Sequence, residues 1–151
     1  SSGALLGAAH GVSMIAGAVF PWLGIGRLPW PPAVALAGLG GMAAGIALQI
    51  WSMRMLGPLF TLRIQAAEGQ TVVARGPYRV VRHPGYLGQI VLWLGFAVTS
   101  ANAITLAVVA VACGAGYGYR IVVEERTLLE TLGADYQRYA ANRPRLLPLV
   151  W

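Results

Sequence analysis

The chain has 151 residues, of which 57% are hydrophobic and only 11% charged, and its mean hydropathy is +0.64. Soluble domains carry about 25% charged residues, so this composition leaves too few polar side chains to coat a water-facing surface. All 11 basic residues are arginine, for a net charge of +6. Long apolar stretches interrupt them and no DNA- or RNA-reading motif appears, so membrane lipids and anionic substrate groups suit them better than nucleic acid.

Crossing the hydrocarbon layer takes about 20 mostly apolar residues. His10 is the only ionisable side chain from Gly3 to Gly26, and none occurs from Leu28 to Met53. These stretches predict two spans, at about 3–26 and 30–54. Gly26-Arg27 and the Pro29, Pro31, Pro32 cluster separate them. The next stretch, from Gly57 to Arg82, is too polar to cross. Phe60, Leu62 and Ile64 alternate with Thr61, Arg63 and Gln65, and Glu68-Gly69-Gln70 precedes Thr71-Val72-Val73. That pattern predicts a short extended hairpin at headgroup level.

From Pro84 to Tyr119 no charge occurs over about 36 residues, enough for two spans with a tight turn. Thr99-Ser100-Ala101-Asn102 supplies the turn, giving spans at about 84–99 and 102–120. After them, Leu128, Leu129, Leu132, Tyr136 and Tyr139 recur at helical spacing, predicting an amphipathic helix from Glu124 to Ala141. Gly133 weakens it, Pro144 and Pro148 end it, and Leu146-Leu147 with Val150-Trp151 suit the interface. The expected fold is therefore an all-α integral membrane domain covering 1–151. It has four transmembrane helices, the last two a hairpin, and a C-terminal amphipathic helix in the cytoplasm.

Arg27 alone falls between spans one and two, while the other ten arginines fall on the opposite face. The positive-inside rule makes that face cytoplasmic, together with both termini. The expected location is a bacterial inner membrane, with no signal peptide evident. Gly7 and Gly11, Gly41 and Gly45, and Gly114 and Gly118 stand four apart, as close helix packing requires. Cys113 lies in an apolar run and reads as packing.

Two polar clusters stand beside the bilayer, where such groups are costly and commonly functional. The first runs from Gly76 to Gly88 and contains Tyr78, Arg79, Arg82, His83, Pro84, Tyr86 and Leu87. Pro84 places His83 at the cap of span three, where unpaired backbone N–H groups and the positive helix end favour an anion. Arg82 beside it can bind a carboxylate through two parallel hydrogen bonds. The second cluster, Glu124-Glu125, leaves span four on the same face. Blander roles also fit: Arg79 and Arg82 as interface anchors, Glu124 as a partner of Arg120, the tyrosines as an aromatic belt, and His10 as a packed residue. No Cys/His spacing suits a metal.

At these clusters the sequence resembles the isoprenylcysteine carboxyl methyltransferase and phospholipid methyltransferase superfamily. The matching residues are Gly76-Pro77-Tyr78-Arg79, Arg82-His83-Pro84, Tyr86 and Gly88, then Glu124-Glu125, Leu128, Gly133, Tyr136, Tyr139, Pro144-Arg145 and Pro148. The resemblance implies a membrane-embedded methyltransferase using S-adenosylmethionine and a lipophilic acceptor drawn from the bilayer. It implies cofactor-binding roles for Tyr78, His83, Tyr86, Leu87, Gly88, Glu125 and Tyr139. Arg82 and Glu124 would act at the reacting centre, with Tyr136, Tyr139 and Pro144-Arg145 as a lid. An isoprenylcysteine-like carboxylate is the expected acceptor. A phospholipid amine or a thiol remains open, as does a sterol-type reductase using NADPH or a non-catalytic haem or scaffold subunit.

Overall fold

Prolines, glycines and one asparagine set the helix ends. The computed structural model describes residues 2–57 and 72–147. Most of the hairpin expected between Gly57 and Arg82, and Pro148, Val150 and Trp151, lie outside the described residues.

Helix α1 (Ser2–Leu23) ends three residues before the predicted boundary, because Gly24 turns the backbone left-handed (φ 72°). Helix α2 (Pro32–Leu56) starts at its proline, with Pro31 extended ahead of it (φ −66°, ψ 153°). Proline suits this first helical position because its missing N–H would have no helical partner there. A 3-10 turn (Gly76–Arg79) leads into α3 (Pro84–Thr99), whose bounds are those predicted. Helix α4 (Ala103–Leu132) starts at Asn102, whose side chain accepts a hydrogen bond from the Thr105 amide at 3.0 Å.

One prediction needs correcting. The stretch from Glu124 to Ala141 is not a single amphipathic helix. Helix α4 runs on without a break through Glu124 and Glu125 to Leu132, since nothing between Arg120 and Leu132 stops a helix. The break falls at Gly133 (φ 50°), and only Ala134–Ala141 forms a separate helix, α5. A left-handed residue there favours glycine. The acid pair is therefore held on rigid helix rather than on a following surface element.

Helices α2 and α3 cross backbone to backbone. A Cβ on Gly45 would lie 2.5 Å from the Gly88 carbonyl oxygen, and one on Gly38 would lie 2.8 Å from that of Gly95. The small-residue pairs read from sequence are only partly responsible. Gly45 is at the crossing, but a Cβ on Gly7, Gly11, Gly114 or Gly118 would meet nothing within 4 Å. Their spacing does not mark close crossings among the described residues.

Helix α4 packs along α1, with Thr105 Oγ1 donating to the Ala16 carbonyl at 3.0 Å. Ala97, Val109, Cys113 and Tyr117 form the centre of the core, so Cys113 is a packing residue as expected. Outward faces are apolar instead: Trp22 is 82% exposed and Val111 71%, a pattern that suits a lipid surround rather than water. Helices α1, α2 and α4 are long and apolar enough to cross a membrane, while α3 is apolar but only 16 residues long.

The α1–α2 and α3–α4 connections meet at one end of the bundle. Asn102 is fully buried and donates through Nδ2 to the Ile25 carbonyl at 2.6 Å. The Leu28 amide donates to the Ala101 carbonyl at 2.7 Å, and the Ala103 amide to that of Gly26 at 2.8 Å. The start of α3 and the later turns of α4 consequently share the opposite end.

Candidate active site

At that opposite end the backbone ahead of α3 is stitched to the C-terminal segment. The Arg82 and His83 amides donate to the Pro144 and Arg145 carbonyls at 2.9 and 3.0 Å. Tyr139 on α5 donates its hydroxyl to the Tyr78 carbonyl at 2.8 Å, and the Arg143 guanidinium lies 4.6 Å from the Tyr139 ring centroid. Burial pushes the Tyr78, Tyr136 and Tyr139 phenols up, Tyr139 to about 12, so all three remain protonated donors at neutral pH.

Glu125 is the hub of this region and is 6% exposed. Its Oε1 accepts from Arg82 Nη1 at 2.7 Å and lies 3.2 Å from His83 Nε2, with the Tyr136 hydroxyl donating at 3.5 Å. Its Oε2 accepts from Arg145 Nε at 2.9 Å. Burying a carboxylate is costly unless charge and hydrogen bonds compensate, and here both oxygens are occupied by cationic or polar donors. The Nε of Arg82 is buried with no hydrogen-bond partner among the described residues.

Glu124 is one residue earlier, about 100° round the helix, and meets a different set. The Tyr86 hydroxyl donates to Glu124 and accepts from Arg120 Nε at 2.8 Å. Tyr86 also stacks on His83, with ring centroids 5.6 Å apart, which links the two carboxylate groups. The pairing of Glu124 with Arg120 considered from sequence is thus made through Tyr86.

A cavity of about 360 Å³ opens beside Tyr86. Tyr78, Arg120, Tyr117, His10, Gln49 and Gln89 are among the side chains lining it. All four long bundle helices contribute. Gly3 and Gly7 give the α1 wall its depth, since nothing stands within 4 Å of a Cβ on Gly7.

The structure therefore brings Arg82, His83 and Glu125 into direct contact, joins Tyr86 to Glu124, and folds Tyr78 and Tyr139 against each other. Gly88 is turned to α2, which gives its small size a packing cause, and Leu87 continues the first turn of α3. Sequence reasoning missed the ion pair of Arg145 with Glu125, and it gave no role to Tyr117, Gln49 or Gln89. Their helical register with Arg120, Ser52 and Tyr86 was the available signal. His10, read as packing, bonds to the Tyr117 hydroxyl at 2.8 Å and stacks on Trp93.

A family model for the isoprenylcysteine carboxyl methyltransferase (ICMT) family matches residues 36–130. The chain belongs to that family. Protein-S-isoprenylcysteine O-methyltransferase B of Arabidopsis thaliana is 30% identical over 115 residues, covering 75% of this chain and 58% of the relative. The protein-S-isoprenylcysteine O-methyltransferase of Schizosaccharomyces pombe is 26% identical over 114 residues, 74% of this chain and 48% of its own length. This ICMT-family chain thus spans about half the length of the curated relatives it matches. The solved structure of the eukaryotic intramembrane Ras methyltransferase ICMT, without a monobody, superposes with a TM-score of 0.77 at 21% identity. That match covers 94% of this chain and 51% of the other, and it shows a shared fold. With three long apolar helices in the ICMT fold, the protein is a multi-pass integral membrane protein.

Proposed function

We propose that this chain is an S-adenosylmethionine-dependent carboxyl methyltransferase acting on a lipophilic, isoprenylcysteine-like acceptor. One observation carries the reading. The two adjacent acids of α4 reach separate, neighbouring clusters, Arg82-His83-Arg145 and Tyr86-Arg120, and Tyr86 and Arg120 also line the cavity. Membership of the ICMT family and the names of its relatives support the reaction type.

The residues present fit the cofactor. Its methionine part carries a carboxylate and an ammonium, and the cluster offers both signs of charge. No side chain caps the first turn of α3, which leaves that helix start open to the carboxylate. Tyr78, His83, Tyr86, Leu87 and Tyr139 would form the walls, with Gly88 allowing α3 its close approach to α2. When bound, the cofactor supplies an electrophilic methyl group on a sulfonium.

The chain's own residues have to orient the acceptor and exclude water. A carboxylate is already a nucleophile, so no base is required. Arg82 would hold and aim it through its planar guanidinium. Glu125 would act by fixing Arg82, His83 and Arg145. Glu124 would fix the Tyr86 hydroxyl and, through it, Arg120 at the cavity mouth. Transfer of the bound cofactor's methyl group to a carboxylate oxygen would give a methyl ester and leave S-adenosylhomocysteine.

We also read α3 as a fourth span, slightly short at about 24 Å of helix against a hydrocarbon core of about 30 Å. The arginine-rich end then faces the cytoplasm. Cysteines placed at Ser100 and Arg138 in a Cys113→Ala background should react with an impermeant maleimide from opposite sides; labelling from one side sinks this topology.

The reaction is tested in nanodiscs with methyl-labelled S-adenosylmethionine and an S-prenylated N-acetylcysteine. Label should enter the lipid product and be released as methanol by alkali. Base-stable label, or none, contradicts carboxyl methylation.

A further inference from the structure

At the end of the bundle that carries the site, the described arginines are put to different uses. Arg82, Arg120 and Arg145 belong to the clusters around Glu124 and Glu125. Arg143 donates to the Arg79 and Tyr139 carbonyls. Arg138 pairs with Asp135 on α5, and Arg126 has Glu130 one turn further along α4. Arg54, Arg75 and Arg79 remain. All three are exposed, and none forms an ion pair with a described acid.

These three stand together because the 3-10 turn packs against the end of α2. Arg75 Nη2 donates to the Met55 carbonyl at 3.4 Å, which holds its guanidinium beside Arg54. Gly76 lets the turn come this close. Its backbone is left-handed (φ 56°), and a Cβ there would lie 2.7 Å from Met55 Cγ and 3.5 Å from Trp51 Nε1. Arg79 ends the turn. Two apolar side chains flank the cations, Trp51 at 50% exposed and Val80 at 61%.

Three cations gathered without an acid repel one another, and an anion among them relieves that repulsion. The guanidinium fork matches a phosphate through paired hydrogen bonds. Tryptophan and arginine at the end of an apolar, span-length helix stand at headgroup level. The apolar flanks suit a ligand with acyl chains rather than free phosphate. We propose that Trp51, Arg54, Arg75, Arg79 and Val80 form a binding surface for one anionic phospholipid. The guanidinium groups hold its phosphate, and its acyl chains run along α2 past Trp51. This surface lies outside the cavity and is independent of the methyl-transfer reading.

Native mass spectrometry of the detergent-solubilised chain tests it, with phosphatidylglycerol and phosphatidylcholine of matched acyl chains offered together. An arginine near an anionic surface is worth about fivefold in affinity, so wild type should retain one phosphatidylglycerol with a preference of about tenfold or more. Added salt should weaken that preference, since the cations are exposed. Arg75→Gln with Arg79→Gln should bring it close to one. Arg126→Gln with Arg138→Gln removes the same net charge from α4 and α5 and should leave it unchanged. Should the first pair unfold, Arg79→Gln alone, whose side chain is exposed, should lower the preference in the same direction. Equal retention of the two lipids by wild type overturns the proposal. Equal loss in the two double variants also overturns it, because net charge rather than this surface would then set the preference.

Discussion

His83 Nε2 stands 3.2 Å from Oε1 of Glu125, forty-two residues further along the chain. The α3–α4 hairpin makes this meeting possible, and the unbroken run of α4 past Arg120 makes it rigid. Two cations, Arg82 and Arg145, close on the same carboxylate.

Glu125→Gln should therefore be felt first as instability. It leaves two guanidinium groups around a neutral amide, and breaking a buried ionic cluster of this kind costs about 3 kcal/mol or more. Thermal unfolding in detergent should show a clear drop, and affinity for S-adenosylhomocysteine should fall with it. Unchanged stability and affinity would remove Glu125 from its central place.

Arg82→Lys should fold but turn over poorly. Lysine supplies a point charge, whereas Arg82 directs Nη1 to Glu125 and still has a buried Nε to offer. Loss of an aimed donor at a reacting centre typically costs about a hundredfold in kcat. Turnover within a few-fold of wild type would reduce Arg82 to an anchor.

Gly45→Ala and Gly114→Ala form a matched pair. The first drives a methyl group to 2.5 Å from the Gly88 carbonyl oxygen, whereas the second meets nothing within 4 Å. Overpacking should cost Gly45→Ala about 1–3 kcal/mol. Gly114→Ala should be neutral or stabilising, up to about 1 kcal/mol from helix propensity. Equal effects in melting experiments would contradict the crossing of α2 and α3.

Tyr139 sets an alkaline limit. Its phenol ionises near pH 10 when unfolded but near 12 when folded, since burial holds the proton on. The unfolded chain loses that proton first, so this group's contribution to stability is complete below pH 10 and falls as pH rises towards 12. Tyr139→Phe should flatten part of that decline in unfolding curves; an identical pH profile would contradict it.

The bundle was legible in the sequence because uncharged stretches of span length admit few alternatives. The α3 bounds followed from Pro84 and the Thr99–Asn102 turn. Helix α4 was harder, because Glu124 and Glu125 interrupt the hydropathy without interrupting the helix. The cluster around Arg82, His83 and the acid pair was visible as local motifs, and the hairpin argument was enough to bring them together. Arg145, Gln89 and His10 were not visible as partners. Their roles depend on which helix faces meet, and no spacing along one segment encodes a contact with another. The glycine pairs show the converse: four-residue spacing permits close packing, but only the facing helix decides whether it occurs.

The central claim is that this arginine-, histidine- and acid-lined end of the bundle holds S-adenosylmethionine. Calorimetric titration of the wild-type chain in nanodiscs with S-adenosylhomocysteine tests it most directly, with NADPH as the comparison. Saturable one-to-one binding of S-adenosylhomocysteine, weakened in Glu125→Gln, is the predicted result. Binding of NADPH in its place, or no saturable binding of S-adenosylhomocysteine, would contradict the account.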